Sequence, residues 1–144
     1  MRLTSFTDYS LRVLMYLATQ PERKATIAEI AAAFAISESH LTKVVHHLGR
    51  SGLLTNERGR GGGVALARPA ATIKLGAVIA AAEGQGPLVE CFNPRTNHCV
   101  ITAACGLRSV LAQALAGFYA ALDRYTLADI TRNCGKLRRT LGMV

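Results

Sequence analysis

Three cysteines lie in one short segment of this 144-residue chain, at Cys91, Cys99 and Cys105. Their spacing, C-x7-C-x5-C, allows three thiols to converge on one centre if the segment between them forms a loop. Thiolates are soft ligands that suit zinc or an iron–sulfur cluster. The spacing is not the C-x2-C of zinc ribbons and bacterial ferredoxins. The pattern therefore predicts a sulfur-ligated centre and leaves the metal open.

Such a centre requires a fourth ligand. His98, Cys134 and a carboxylate from elsewhere in the chain are the candidates. We interpret His98 as too constrained to join, because it is adjacent to Cys99. Cys134 is best explained as a packed or incidental thiol. The residues alone leave the fourth ligand open.

The chain carries 17 Lys and Arg against nine Asp and Glu, for a formal net charge of +8. A small protein this basic is attracted to polyanions, and nucleic acid is the first candidate. A charge excess that only keeps the chain soluble is the alternative. There is no run of about 18 apolar residues and no pattern of a signal peptide at the N-terminus. We therefore expect no membrane partner and a cytoplasmic location, where thiols stay reduced.

Apolar periodicity predicts a first helix over residues 5–19, and Ser5 with Asp8 has the spacing of a capping box at its start. Thr26 and Glu29 have the same spacing at the start of a short second helix. A third helix follows directly. Two short helices joined by a tight turn, with a first helix packed across them, are the parts of a helix-turn-helix.

The third helix begins after Ser37, which has the side chain of an N-cap. Its apolar positions are predicted to be buried: Leu41, Val44, Val45 and Leu48. Helical geometry then turns the polar positions outward, where they can reach phosphates and base edges. An ordinary solvated helix is the alternative.

A glycine-rich turn at residues 58–63 separates two short apolar runs and predicts a β-hairpin, the wing of a winged helix-turn-helix. Arg58 and Arg60 lie on this turn, where they could enter a minor groove. We expect Lys43, His46 and Arg50 to set affinity. Sequence or shape readout is assigned to Ser39, His40 and Arg58. The complete predicted DNA-contacting set is Ser37, Ser39, His40, Lys43, His46, Arg50, Arg58 and Arg60.

Thr72 is predicted to cap a fourth helix that runs to about Glu83. A long helix over residues 105–125 has apolar residues at alternating steps of four and three, which is typical of a dimerisation helix. A core helix packed on the same chain is the alternative. The predicted fold is mainly α with a small β-hairpin wing, a winged helix-turn-helix plus a long dimerisation helix. Its parts are the DNA-binding domain 1–86, the cluster-binding loop 87–106 and the dimerisation region 105–144.

Several motifs resemble the iron–sulfur winged-helix repressors, the family that includes NsrR, IscR and RirA. They are the opening MRLTSFTDY at residues 1–9, the turn RGRGGG at residues 58–63 and the three cysteines. The stretches CVITAAC at residues 99–105 and YTLAD at residues 125–129 are most similar to the NsrR type, which senses nitric oxide. The resemblance covers nearly the whole chain.

The resemblance implies that Cys91, Cys99 and Cys105 bind a [4Fe-4S] or [2Fe-2S] cluster, with Asp8 of the partner subunit as fourth ligand. Reasoning from the residues gives Asp8 only a helix-capping role. IscR-type proteins have a histidine three residues after the third cysteine, and Arg108 stands there in this chain. That departure argues against the IscR type.

The resulting hypothesis is a homodimeric bacterial repressor without catalytic activity, which binds an inverted-repeat operator in double-stranded DNA. Nitric oxide would dismantle the cluster and release the DNA. The chain would then be cytoplasmic, and nucleoid-associated when bound to DNA. A RirA-like iron-responsive or general redox-responsive regulator is the alternative within the family. An electron-transfer protein, or a zinc or thiol–disulfide regulator without iron, are the rivals outside it.

Overall fold

A computed structural model describes residues 2–84 and 86–143. The predicted fold class is confirmed: the described residues are mainly helical, with one two-stranded antiparallel hairpin. The elements in chain order are α1 (Ser5–Ala18), α2 (Ile27–Phe34), α3 (Glu38–Arg50), β1 (Leu54–Glu57), β2 (Gly63–Leu66), α4 (Leu75–Glu83), α5 (Gly106–Leu122), α6 (Leu127–Ile130) and α7 (Cys134–Thr140). Short 3-10 turns lie at Ala70–Thr72, Glu90–Phe92 and Thr102–Ala104.

The start of α1 differs from the prediction. Thr4 is the N-cap, and its hydroxyl accepts a hydrogen bond from the backbone N–H of Thr7 at 3.2 Å. The predicted capping box of Ser5 and Asp8 is therefore wrong, because Ser5 already lies inside the helix. The Asp8 carboxylate instead pairs with Arg12, one turn further along, at 2.8 Å.

The other two N-termini of the helix-turn-helix are confirmed. The hydroxyl of Thr26 accepts from the backbone N–H of Glu29, whose carboxylate accepts from the backbone N–H of Thr26 in return. Ser37 caps α3 through a hydrogen bond from the His40 N–H. Between α2 and α3 the chain reverses at Ala35, which adopts the left-handed conformation with φ 53°. This tight turn fixes the angle at which α3 crosses the domain.

The core of the domain forms where α1, α2 and α3 meet. The four apolar positions predicted for α3 are all buried: Leu41, Val44, Val45 and Leu48. They pack in one cluster with Val13, Leu14 and Leu17 of α1 and with Ile30 of α2. Removal of these apolar surfaces from water is the main force that holds α3 in place.

The hairpin of β1 and β2 is fastened to the loop after α1. Its register pairs Leu54 with Leu66 at the base and Glu57 with Gly63 at the tip. Ala25 forms a bridge with Val64, with N–H···O distances of 3.0 and 2.8 Å. The wing is thus held on its second side by the backbone at Ala25.

The start of α4 was also predicted wrongly. Thr72 belongs to a 3-10 turn, where its hydroxyl donates to the carbonyl of Pro69 at 2.7 Å. The helix begins at Leu75, after Lys74, without a side-chain cap. The first backbone N–H of this helix has a partner from a distant part of the sequence: the N–H of Leu75 donates to the carbonyl of Tyr125 at 3.1 Å.

The long helix α5 contains no buried residue. It meets the rest of the chain at α4, where Gly76 comes so close that an added Cβ would lie 3.2 Å from the carbonyl oxygen of Tyr119. The chain then returns to the core at α6, where Leu127 is completely buried and its N–H donates to the carbonyl of Ile73 at 2.9 Å. A capping box of Thr126 and Asp129 begins that helix.

Candidate nucleic-acid interface and cysteine segment

The exposed side of α3 carries the predicted DNA-contacting residues. All of them are exposed: Ser37, Ser39, His40, Lys43, His46 and Arg50. Because α3 buries its opposite face, these side chains share one surface, which we call the recognition face. The hydroxyls of Ser37 and Ser39 lie 3.3 Å apart at its N-terminal end, where free backbone N–H groups favour a phosphate. The arrangement can present hydrogen-bond donors and positive charge to a DNA groove.

The wing adds two exposed arginines, Arg58 and Arg60, on the turn between β1 and β2. The turn is tight, because a Cβ at Gly62 would lie 2.2 Å from the carbonyl oxygen of Glu57. Glu57 itself forms an ion pair with Lys24. That pair offsets the only carboxylate of β1, so the tip of the wing presents positive charge.

Two aromatic side chains of α1 lie against histidines of α3. The ring of Phe6 contacts the imidazole of His47 edge to face, with centroids 5.2 Å apart. The ring of Tyr9 lies 6.3 Å from that of His40. This support was not predicted from the sequence. Its signal is the spacing of Phe6 and Tyr9, which places them on one face of α1.

The three clustered cysteines are free and half-buried. Cys91 lies in the 3-10 turn Glu90–Phe92, and Cys99 lies between this turn and the next one, Thr102–Ala104. Cys105 directly precedes α5. The backbone is ordered by local hydrogen bonds: Asn97 accepts from the Cys99 N–H at 3.0 Å, and Arg108 donates to the Cys91 carbonyl at 3.3 Å. The segment is therefore tied to the start of α5 through Arg108.

Cys105 occupies the N-cap position of α5 without a side-chain cap hydrogen bond, next to the positive end of the helix. The cysteine also borders a cavity of about 540 Å³, which Phe92 and Arg108 help to line. Three half-buried thiols, one of them beside a cavity, fit the donor chemistry of a sulfur-ligated centre.

The described residues do not bring this donor set together: among residues 2–84 and 86–143, no three His, Cys, Asp or Glu side chains form a group that could hold a metal ion. Asp8 lies in α1 and pairs with Arg12. Cys134 is exposed at the start of α7, and His98 is exposed within the segment. The thiols therefore fit a cluster by chemistry, and ligation would require the segment to rearrange.

The surface of α5 and the segment before it is strongly apolar. Val100 is 97 % exposed, and the large exposed apolar side chains around it include Ile101, Leu107 and Val110. A cavity of about 400 Å³, lined by residues with apolar side chains, lies between α5 and residues 88 and 89. Within the described part of the chain, nothing covers this face. None of the helices there has the length and apolarity that a membrane crossing requires.

Comparison with known proteins agrees with this geometry. Residues 3–133 match the Rrf2 family, described as "Iron-dependent Transcriptional regulator". The chain is 48% identical over 142 residues to the "HTH-type transcriptional regulator NsrR" of Geobacillus kaustophilus, which covers 98% of this chain and 97% of the relative. It is 43% identical over 144 residues to the protein of that name from Bacillus subtilis, with 99% of each chain covered.

Solved structures of the same fold include "T. potens IscR", with a TM-score of 0.74 and 25% identity over 92% of this chain and 88% of that one. The structure titled "CymR (YrzC) the Global Cysteine Regulator of B. subtilis" has a TM-score of 0.72 and 23% identity, covering 92% of this chain and 98% of the other. The second likeness supports the fold alone.

Proposed function

Because the chain belongs to the Rrf2 family of transcriptional regulators, we propose that its recognition face and wing bind operator DNA under the control of an iron–sulfur cluster that senses nitric oxide. It is a DNA-binding regulator and not an enzyme. The observation that carries the proposal is the combination, in one chain similar to NsrR regulators over 98% of its length, of an exposed basic helix with three half-buried free thiols.

The DNA-binding part is residues 1–86. The exposed Lys43, His46 and Arg50 contact phosphates and set the affinity and its dependence on salt. Ser39 and His40 reach base edges in the major groove, and Arg58 enters the adjacent minor groove with Arg60 beside it. Ser37 adds an exposed hydroxyl at the helix N-terminus, where a phosphate is favoured.

The dimer is formed by the region 105–144. Leu107 and Val110 of α5 are exposed apolar side chains, as are Val100 and Ile101 before it. A second copy of the chain is the occupant that an inverted-repeat operator requires. Two copies related by a twofold axis would place their α3 helices about 34 Å apart, one turn of DNA, and read an inverted repeat. We place this dimer in the bacterial cytoplasm, and on the nucleoid when it is bound to DNA.

The cluster would be held by Cys91, Cys99 and Cys105 within residues 87–106, with Asp8 of the partner subunit as fourth ligand. A bound [4Fe-4S] or [2Fe-2S] cluster supplies iron that binds nitric oxide. The protein contributes the thiolates, the positive helix end at Cys105 and a partly water-excluding surface. The ion pair with Arg12 engages the Oδ2 atom of Asp8, which leaves Oδ1 as the oxygen for ligation.

Release of the cysteine segment couples to DNA binding because the segment connects α4 of the DNA-binding part to α5 of the dimerisation region. A coupling free energy of about 1–3 kcal/mol would change operator affinity about 5–150-fold. Ordering of the segment around the cluster favours the spacing that fits the operator. Without the cluster, Cys91, Cys99 and Cys105 would no longer be held at one centre, and the complex with the operator would be weaker.

The experiment is an anaerobic absorption spectrum with iron and sulfide analysis, followed by operator binding during titration with nitric oxide. We expect a coloured protein that loses both its visible bands and its DNA as nitric oxide is added. Equal operator retention by cluster-loaded and cluster-free protein would refute the proposal. A zinc-containing, colourless protein would favour the zinc or thiol regulator.

The description of the family as iron-dependent favours one second candidate, an iron-responsive or general redox-responsive regulator similar to RirA. An iron chelator added to the operator-bound protein separates the two. Release of DNA by the chelator at a rate comparable to that with nitric oxide indicates iron sensing. Release by nitric oxide while the chelator leaves the complex intact indicates nitric oxide sensing.

A further inference from the structure

A carboxylate at the end of α4 holds the start of α1. The Oε1 atom of Glu83 accepts hydrogen bonds from the backbone N–H of Thr4 at 2.7 Å and from its hydroxyl at 3.0 Å. Glu83 is the last residue of α4, and Gly84 follows it with φ 71°. The chain beyond this point leads directly into the cysteine segment. Glu83 therefore joins the entrance of that segment to a residue 79 positions earlier.

Thr4 is the residue that caps α1, and Thr7, which donates to it, is completely buried. Burial raises the pKa of the Glu83 carboxyl, but hydrogen bonds from Thr7 and Thr4 oppose this, and the net pKa is lowered. The carboxylate is thus the favoured form at neutral pH, and it fixes the position of the first turn of α1.

The first turn of α1 in turn supports the recognition helix. Phe6 lies against the half-buried His47, and Tyr9 lies near His40, an exposed residue of the recognition face. A displacement of Thr4 would move both aromatic rings, because Phe6 and Tyr9 lie two and five residues after this N-cap, in the first two turns of α1. Hydrogen bonds connect Glu83 to Thr4, the backbone connects Thr4 to Phe6, and Phe6 contacts His47 of α3.

We propose that Glu83 is a positioning residue, which transmits the state of the cysteine segment to the recognition helix by holding the N-cap of α1. This inference deepens the regulation described above and rests on the proposed function. When ligation reorganises the segment, the end of α4 moves with it. Glu83 carries Thr4 along, and α1 changes the support under His47 and His40.

The first test uses cluster-free protein, so that it does not depend on the cluster. Glu83→Ala removes both hydrogen bonds to Thr4, whereas Glu83→Gln keeps an acceptor oxygen of the same reach. We expect the imidazole NMR signals of His47 to shift in Glu83→Ala, with faster amide exchange in the first turn of α1. In Glu83→Gln, the His47 signals and the amide exchange of the first turn of α1 should match those of the wild type. Unchanged His47 signals in Glu83→Ala would overturn the inference.

The matched control is Glu22→Ala, at an exposed carboxylate in the turn after α1. It makes the same change in net charge, which alone strengthens binding to DNA. Because Glu22 does not contact the first turn of α1 in the described contacts, its variant should leave the His47 signals unchanged. A shift of equal size in Glu22→Ala would assign the effect to charge and would count against Glu83.

The second test measures the ratio of operator affinities between cluster-loaded and cluster-free protein. We expect Glu83→Ala to lower this ratio at least about fivefold relative to the wild type, while Glu83→Gln and Glu22→Ala keep it within about twofold. A wild-type ratio in Glu83→Ala would overturn the inference. If the operator affinity of the wild type is the same with and without the cluster, the proposed function fails. The His47 result still decides whether Glu83 positions α3.

Glu83→Ala could also destabilise the fold, which thermal unfolding would reveal. Thr4→Ala then takes its place, because it keeps the backbone N–H that Glu83 binds and removes the hydroxyl, which donates to Glu83 and accepts from the Thr7 N–H. We expect the same His47 shift and the same loss of ratio, both smaller in size. Absence of both changes in a folded Thr4→Ala protein, together with a misfolded Glu83→Ala protein, would reduce Glu83 to a structural role.

Discussion

Phe6 meets His47 edge to face, with ring centroids 5.2 Å apart and ring planes at 79°. One residue belongs to the first turn of α1, and the other to the helix that presents the recognition face. Asp8, the expected fourth ligand of the partner's cluster, lies two residues from Phe6. The contact therefore places the expected ligand and the recognition helix in one packed unit. A displacement of either one must be accommodated by the other.

Replacement of Phe6 by leucine should weaken DNA binding without affecting the cluster. Leucine keeps an apolar side chain but loses the ring edge, and such aromatic contacts contribute about 0.5–1.5 kcal/mol beyond the buried area. We expect a similar loss in the free energy of unfolding in urea and a severalfold loss of operator affinity. Phe34→Leu is the control, since Phe34 contacts Tyr16 and no histidine of α3. Equal loss of affinity in both variants would argue against a specific role of Phe6.

Replacement of Arg58 by alanine should lower operator affinity by about 1–2 kcal/mol, roughly tenfold, because the wing loses an exposed cation at the DNA. The slope of log affinity against log salt should decrease by about one. Arg124→Ala, at an exposed arginine just after α5, makes the same charge change away from the wing. Filter or gel retention at several salt concentrations measures both. An altered visible spectrum in Arg58→Ala would contradict its assignment to DNA.

Replacement of Cys99 or Cys105 by alanine should give a colourless protein with weak operator binding, because three thiolates are needed to hold the cluster. Cys134→Ala is the matched control. Cys134 is exposed in α7 and is not part of the clustered segment, so this variant should keep the colour and the iron content of the wild type. Anaerobic absorption with iron and sulfide analysis decides. A brown Cys105→Ala protein that binds DNA normally would remove Cys105 from the site.

Replacement of Gly62 by alanine should disrupt the wing. The new Cβ would lie 2.2 Å from the carbonyl oxygen of Glu57, and this backbone atom cannot move without opening the hairpin. We expect a loss of about 1–3 kcal/mol in stability and weaker DNA binding. Gly135→Ala, where the added Cβ meets nothing within 4 Å, should be tolerated. A Gly62→Ala protein with wild-type thermal stability would show that the turn relaxes freely.

The capping box of α2 should make stability depend on pH. The hydrogen bond from the Thr26 backbone, opposed by burial and aided by Arg23, lowers the pKa of Glu29 below its ordinary value. A carboxyl with a lowered folded-state pKa stabilises the fold above its unfolded pKa of about 4.3, and this contribution is lost as the pH falls through the folded pKa. Urea unfolding at pH 7 and pH 3 should differ less in Glu29→Gln than in the wild type. An equal difference would remove Glu29 from the pH response.

Local interactions were predictable from the sequence, and distant ones were not. The capping box of Thr26 and Glu29 and the buried stripe of α3 depend on residues three or four positions apart, so spacing alone reveals them. Ser5 and Asp8 have that same spacing, yet Thr4 caps α1 because the fold supplies Glu83 as a partner for Thr4. Neither the resemblance nor the periodicity indicates this contact.

The candidate site divides in the same way. Exposure of the recognition face followed from the apolar stripe of α3, and the wing arginines followed from the hairpin. The contact of Phe6 with His47 depends on how α1 crosses α3, which no pattern within one helix specifies. The ligand set of Cys91, Cys99, Cys105 and Asp8 stays a prediction. Its members belong to two subunits, and they would converge only around a bound cluster.

Leu127 is wholly buried, although it follows both the cysteine segment and α5. A premature stop codon just before Leu127 would spare every residue assigned to DNA binding or to cluster ligation. It would nevertheless leave a cavity in the core that Leu127 shares with α3. Loss of a buried leucine costs about 2–5 kcal/mol, which is a large share of the free energy of unfolding of a domain of this size. Such nonsense alleles should therefore behave as complete loss-of-function mutants, not as repressors locked on their promoters.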